Sequence, residues 1–272
     1  MVFAIIFGAQ FFHQRRTIMQ KTYQIANIVG YLGVLVTNFL ANALPIAGRT
    51  TGDVADQYPN LFTPAGITFS IWGVIYLSLL VFVVLQSRGL FRERVAPEYL
   101  ESIGPWFFLS CLCNVGWILV WHQLWVVPSM ILMLGLLYTL LVIYQRLDGY
   151  AWRGFGWIRL PFSLYLAWIC VATLANTTVL LVDLGYSGQP LSAGVWTAIL
   201  VGLASVLGLF FLYRRNDPVF PLVIVWALIG IIVKLRASFD WDFSPIIAAS
   251  IGIALLVFSD LWRVFRFFRQ RV

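Results

Sequence analysis

Eight long apolar segments run through this sequence, and they constrain its fold more than any other feature. Short connections join them, and they cover approximately residues 23–45, 65–86, 104–121, 124–145, 159–182, 193–213, 218–235 and 244–262. Each is close to the roughly 20 residues that an α-helix needs to cross the hydrocarbon core of a bilayer. The runs do not show the alternation of apolar and polar residues that is typical of membrane barrels. The sequence therefore predicts an all-α, polytopic transmembrane helix bundle.

The composition excludes a water-soluble globule. Hydrophobic residues make up 61% of the chain and charged residues 11%, whereas soluble domains carry roughly a quarter charged residues. The lipid bilayer is therefore the first expected partner. A net charge of +7 could suggest nucleic acid, but the basic residues sit at the ends of the apolar segments. Membrane topology explains them better, and we expect no nucleic-acid partner.

The basic residues also predict how the chain is oriented. If the N-terminus is inside, an eight-span chain leaves all but three of its 18 Lys and Arg residues on the cytoplasmic side, as the positive-inside rule expects. The three exceptions are Arg49, Lys234 and Arg236. The cytoplasmic set is Arg15, Arg16, Lys21, Arg88, Arg92, Arg94, Arg146, Arg153, Arg159, Arg214, Arg215, Arg263, Arg266, Arg269 and Arg271. We therefore expect a multi-pass protein of a bacterial inner membrane with both termini in the cytoplasm.

Residues 1–21 are expected to form an N-terminal tail. The apolar stretch 1–12 is too short to span, and the basic pair Arg15 and Arg16 follows it, which is the reverse of the order in a signal peptide. We interpret residues 1–18 either as a loose tail or as sequence upstream of the true start.

Four segments each carry a stripe of aromatic or amide side chains in the half of the membrane away from the N-terminus. Helical spacing places the members of each stripe on one face. The stripes predict an aromatic-walled pocket with a few amides, suited to a flat, apolar ligand. The alternative is that the tryptophans form interfacial belts and the asparagines join helices. The stripes comprise Asn38 and Asn42; Phe69, Trp72 and Tyr76; Asn114, Trp117 and Trp121; and Trp168, Ala172 and Asn176.

These stripes resemble the signatures of the tryptophan-rich sensory protein family (TspO/MBR), which includes the translocator protein, or peripheral benzodiazepine receptor. Residues 63–76 resemble its second-helix signature, with a Pro–x7–Trp–x3–Tyr spacing. The family's third-helix signature is Asn–x–x–Trp and its fifth-helix signature is Trp–x3–Ala–Thr–x2–Asn. Two stretches of this sequence are similar to them. The matching residues are Pro64, Trp72 and Tyr76; Asn114 and Trp117; and Trp168, Ala172, Thr173 and Asn176.

The resemblance implies a five-helix core over residues 22–184 and a three-helix transmembrane extension over 193–272 with a basic cytoplasmic end. The sequence departs from the family pattern at Thr63 and Gly66, where the family has a proline and a tryptophan. These positions belong to the expected lid, which includes Pro64. Ligand identity is therefore not carried over.

The function that the resemblance implies is a membrane receptor or sensor for a hydrophobic, flat ligand of the tetrapyrrole or sterol class. The ligand-binding residues would be Phe69, Trp72, Tyr76, Asn114, Trp117, Trp121, Trp168, Ala172 and Asn176. Two alternatives stay open, a transporter of such molecules and a protein that promotes porphyrin breakdown. A homodimer is also left open.

Sequence motifs for catalysis are missing: we find no phosphate loop, nucleophile elbow or metal-ligand spacing. We therefore favour a receptor over an enzyme, with no certain cofactor and no metal. A bound porphyrin or haem is left open. His122 could be an axial haem ligand, although an interfacial hydrogen bond is the favoured alternative.

Overall fold

The computed structural model describes residues 2–44, 46–88, 90, 97–148, 152–186, 188–237 and 243–269, and all the regular structure in these ranges is helical. Two 3₁₀ turns, Ile46–Gly48 and Gly66–Ser70, accompany the α-helices. The α-helices are α1 (Val2–Ala43), α2 (Thr51–Asp56), α3 (Ile71–Gln86), α4 (Glu98–Ile103), α5 (Trp106–His122), α6 (Val126–Arg146), α7 (Trp152–Asp183), α8 (Ala193–Arg214), α9 (Val219–Ala237) and α10 (Phe243–Arg269).

Seven helices in the described ranges are long and apolar enough to cross a membrane, which confirms the polytopic helical bundle. They are α1, α6, α7, α8, α9, α10 and the unit formed by the turn Gly66–Ser70 with α3. Helix α5 is also apolar but has only 17 residues. It packs against both α1 and α6.

Three helices extend beyond the predicted apolar segments. Helical backbone begins at Val2, so residues 2–21 continue α1 instead of forming a loose tail. Helix α7 begins at Trp152, although the apolar segment starts near residue 159, and α10 continues to Arg269. Hydropathy marks only the part of a helix that suits lipid, whereas the ladder of backbone hydrogen bonds continues until a residue interrupts it.

Contacts between charged residues define one end of the bundle, which we call the basic end. Arg16 pairs with Glu101 on α4, and the Arg146 side chain donates to the Ser102 carbonyl oxygen. The Arg263 guanidinium contacts the end of α8. The first and last membrane helices therefore reach the same end. Arg92, Arg94 and Arg271, which belong to the predicted cytoplasmic set, lie outside the described residues, as does the side chain of Arg153.

Other contacts define the opposite end. Trp121, near the end of α5, donates its indole N–H to the Thr51 carbonyl oxygen at 3.2 Å. The Lys234 ammonium lies 2.9 Å from Asp56 Oδ1. Since α5 starts beside α4 at the basic end, it runs from one end of the bundle to the other despite its short length.

A buried carboxylate joins α6 and α7 to the last three helices at the basic end. Asp217 lies between α8 and α9 and is fully buried. Its Oδ2 atom accepts hydrogen bonds from Tyr144 Oη and Ser163 Oγ, both at 2.6 Å. Its Oδ1 atom accepts from the backbone N–H groups of Val219 and Phe220 and so caps the start of α9.

Arg159 completes this group, which we call the polar cluster (Tyr144, Arg159, Ser163 and Asp217). Its guanidinium is buried, donates to Tyr144 Oη at 2.6 Å and to the Arg215 carbonyl oxygen at 3.2 Å, and lies 4.6 Å from the Tyr144 ring centre. A negative and a positive side chain thus share one hydroxyl in the interior, which satisfies charges that would be costly to bury alone.

Candidate functional site

A small cavity lies in the half of the bundle near the opposite end, and we call it the central cavity. Its volume is about 40 Å³, and its walls come from α2, α3, α5, α7 and the loop before α3. It is lined by Ala55, Thr63, Pro64, Phe69, Trp72, Trp117, Trp121, Trp168, Val171, Ala172, Ala175, Asn176 and Val179.

A second, larger space of about 470 Å³ lies between α1 and α3, and we call it the lateral groove. Phe69 and Trp72 line both spaces and therefore separate them. The groove is open outward: a Cβ atom added at Gly66 or Gly73 would meet nothing within 4 Å. Its lining is Leu35, Asn38, Phe39, Asn42, Thr51, Gly66, Phe69, Ser70, Trp72, Gly73 and Tyr76.

The rings around the central cavity hold one another in edge-on and stacked contacts. Trp168 meets Phe69 edge-on with ring centroids 5.9 Å apart, and it meets Trp72 edge-on at 6.2 Å. Trp117 and Trp121 stack on each other at 5.5 Å. Aromatic pairs prefer these geometries, so the cavity wall is an ordered set of rings.

The asparagines mainly join helices. Asn114 accepts from Asn38 at 3.0 Å and donates to Tyr165 Oη at 2.7 Å, which connects α1, α5 and α7. Asn176 accepts from the Trp117 indole N–H at 3.0 Å and bonds with Ser129 Oγ. Interhelical amide bonds of this kind are common between membrane helices. The alternative that the asparagines join helices thus describes the contacts of Asn38, Asn114 and Asn176, whereas Asn42 donates to the Asn38 carbonyl oxygen within α1.

Two buried polar atoms of the central cavity have no hydrogen-bond partner. One is the indole Nε1 of Trp168, whose side chain is 2% exposed, and the other is Thr63 Oγ1, on a residue that is also 2% exposed. The indole groups of Trp117 and Trp121, in contrast, both donate to protein oxygens. Buried polar groups are nearly always paired, so an unpaired donor in a cavity wall favours a ligand acceptor there.

Eight predicted site residues line the central cavity, and they come from separate helices as expected. They are Pro64, Phe69, Trp72, Trp117, Trp121, Trp168, Ala172 and Asn176. Tyr76 and Gly66 line the lateral groove instead. Asn114 is not among the residues lining either space, because it is buried in the contact between α1, α5 and α7.

Several lining residues were missed by the sequence analysis. Val171, Ala175 and Val179 extend the Trp168 face of α7 at three-, seven- and eleven-residue spacings, so helical periodicity alone could have found them. Ala55 belongs to α2, and no local pattern places its side chain in a cavity, whereas Thr63 was already part of the expected lid.

His122 does not support a haem site. Its ring is fully buried, Nδ1 lies 2.8 Å from the Ile118 carbonyl oxygen of the preceding turn, and it lines neither the central cavity nor the lateral groove. His122 is the last residue of α5 and forms a hydrogen bond there, so the favoured alternative of a hydrogen bond at the end of this helix agrees with its contacts.

These features define a class, a polytopic helical membrane protein with an aromatic-lined internal cavity. Residues 24–262 match the family model described as TSPO-like protein, and the chain belongs to this family. The match continues through α8, α9 and most of α10, so it includes the three helices that we expected to be an extension. No curated protein and no solved structure matches the chain.

Proposed function

We propose that this protein is a membrane receptor or sensor that binds a flat, hydrophobic ligand of the tetrapyrrole or sterol class. The proposed site is the central cavity together with the neighbouring part of the lateral groove. The observation that carries the proposal is the unpaired indole N–H of Trp168 in the wall of an aromatic cavity. A ligand with a flat apolar body and a hydrogen-bond acceptor at its edge would satisfy both features.

The volumes indicate how such a ligand would be accommodated. Pockets for drug-sized molecules measure roughly 300–1,000 Å³. The central cavity, at about 40 Å³, is far smaller, whereas the lateral groove, at about 470 Å³, is within that range. Phe69 and Trp72 stand between the two spaces, so movement of these rings would join them. We propose that the ligand enters from the groove and reaches Trp168 when the Phe69 ring moves.

Replacing Trp168 by phenylalanine tests the role of the indole N–H. The variant keeps an aromatic ring but loses the donor. We therefore expect about 2- to 10-fold weaker binding of protoporphyrin IX, which corresponds to the free energy of one hydrogen bond. Binding should be followed by porphyrin absorbance, because tryptophan emission changes with the substitution itself.

The matched control is Trp157→Phe, since Trp157 lies on the same helix and is 69% exposed. We expect the control to bind as the parent does. Equal affinities for Trp168→Phe and the control would show that the indole N–H contacts no ligand acceptor. A parent protein that binds neither protoporphyrin IX nor a sterol would contradict the proposed function as a whole.

Location in a bacterial inner membrane, with both chain ends in the cytoplasm, also remains our proposal. It is supported by the basic end, where Arg16 and Arg263 both lie, and by the positive-inside rule. We expect cytoplasmic signal from a reporter fused after Val272 and labelling from outside for a cysteine placed at Asp183. External signal from the C-terminal reporter would contradict this topology.

A homodimer stays a proposal too, testable by the mass of the purified protein.

A further inference from the structure

One face of α9 holds the loop that covers the central cavity. Trp226, Gly230 and Lys234 follow at four-residue spacing and so share this face. The Trp226 indole donates to the Thr68 carbonyl oxygen at 2.9 Å, and the Gly230 carbonyl oxygen accepts from the Ala65 backbone N–H at 3.1 Å. Lys234 pairs with Asp56 at 2.9 Å, as noted above. Three successive turns of α9 therefore contact the end of α2 and two points of the segment that leads into α3.

The close approach depends on glycine at position 230. A Cβ atom there would lie 2.1 Å from Thr68 Oγ1, 2.8 Å from Thr68 Cγ2 and 3.0 Å from Pro64 Cβ. These separations are too short for any side chain, so the loop would have to move away from α9. The missing side chain thus lets the 3₁₀ turn Gly66–Ser70 lie directly on the helix.

The segment held in this way forms the wall between the two spaces. Ala65 and Thr68, which carry the two hydrogen bonds to α9, lie within the segment from Pro64 to Phe69. Pro64 lines the central cavity and Phe69 lines both spaces. Phe69 has to move if a ligand larger than the 40 Å³ cavity is to reach Trp168. The contacts from α9 oppose this movement.

We propose that Trp226 and Gly230 are positioning residues that hold the Phe69 wall and set how fast the central cavity opens. The ligand part of this inference rests on the proposed function, whereas the restraint on the loop does not. This positioning would connect α9 to the site directly, although 158 positions of sequence separate Trp226 from Thr68.

The substitution Gly230→Ala tests the proposal in the full-length protein. We expect backbone amide exchange in residues 60–70 to rise about tenfold, the effect of losing one or two hydrogen bonds. Association and dissociation of protoporphyrin IX should both accelerate by a similar factor. The matched control is Gly202→Ala on α8, where an added Cβ meets nothing within 4 Å, and it should leave exchange and rates unchanged.

A second substitution separates this contact from general damage. Thr68→Ala removes both atoms nearest to the added Cβ, so the double variant Gly230→Ala, Thr68→Ala should recover most of the slow amide exchange. Non-additivity of this size between contacting residues is the signature of a direct interaction. If Gly230→Ala does not fold, Trp226→Phe replaces it, because that change removes only the indole bond to Thr68.

The measurements distinguish this inference from the proposed function. Faster exchange in Gly230→Ala, combined with no porphyrin binding by the parent, would support the positioning role and contradict the proposed ligand class. Porphyrin binding by the parent, with unchanged exchange and rates in both Gly230→Ala and Trp226→Phe, would overturn the positioning role alone. Failure of the Thr68→Ala change to restore slow exchange would also overturn it.

Discussion

Ala172→Leu should weaken binding of protoporphyrin IX by about 5- to 150-fold, the effect of roughly 1–3 kcal/mol of steric conflict. Ala172 lies one turn after Trp168 and lines the central cavity. The larger side chain would occupy the space of about 40 Å³ beside the indole, where we place the edge of the ligand. Affinity should be measured by titration well below the unfolding temperature, with thermal unfolding recorded in parallel.

The matched control is Ala254→Leu, because Ala254 is exposed on α10 and away from the cavity. It adds the same atoms to a membrane helix without filling an internal space, so affinity should equal that of the parent. Ala172→Leu itself should remain folded, with a moderately lower unfolding temperature from overpacking. Unchanged porphyrin affinity in Ala172→Leu would place the ligand elsewhere and leave the tryptophans as packing residues.

Asp217→Ala should lower the free energy of unfolding by about 3–5 kcal/mol, which is among the largest effects expected of a single substitution. The change removes an acceptor for Tyr144, Ser163 and two backbone N–H groups at the start of α9. It also removes the negative charge of the polar cluster, while the buried Arg159 guanidinium keeps its ion pair with Asp148 at 3.5 Å. Denaturant or thermal unfolding in detergent, together with the yield of folded protein, measures the loss.

Two further variants show what the loss depends on. Asp217→Asn keeps the size of the side chain and one oxygen for the helix cap, so its cost should be smaller than that of Asp217→Ala. Asp183→Ala removes a carboxylate that is exposed at the end of α7, and we expect a change within about 0.5 kcal/mol. Equal stability of Asp217→Ala and Asp183→Ala would contradict the role of the polar cluster in joining α6 and α7 to the last three helices.

Much of the fold could be predicted because, in a bilayer, the secondary structure of each crossing segment depends mainly on its own sequence. Lipid supplies no hydrogen bonds, so each crossing segment must satisfy its backbone within its own helix. Length and hydropathy therefore locate the helices, and the fixed period of the α-helix places Trp168, Ala172 and Asn176 on one face. The same period explains why most of the predicted stripe residues line one cavity.

The tertiary structure decided what each polar and aromatic side chain contacts. Spacing predicted Asn114 for the pocket, but the rotation of α5 directs its amide to Asn38 and Tyr165. Helical backbone before residue 22 was also missed, because hydropathy does not detect a helix that continues beyond the apolar part.

Local sequence patterns could not predict contacts between residues that are far apart in the sequence. The sequence by itself determined an all-helical membrane bundle, its family and the face of α7 that carries Trp168. Only the packing of α9 against the turn Gly66–Ser70 brought Gly230 onto Thr68, and only the meeting of α6, α7 and α9 buried Asp217. Helix positions follow from each segment's own transfer into lipid, whereas these contacts depend on the shapes and rotations of several helices together.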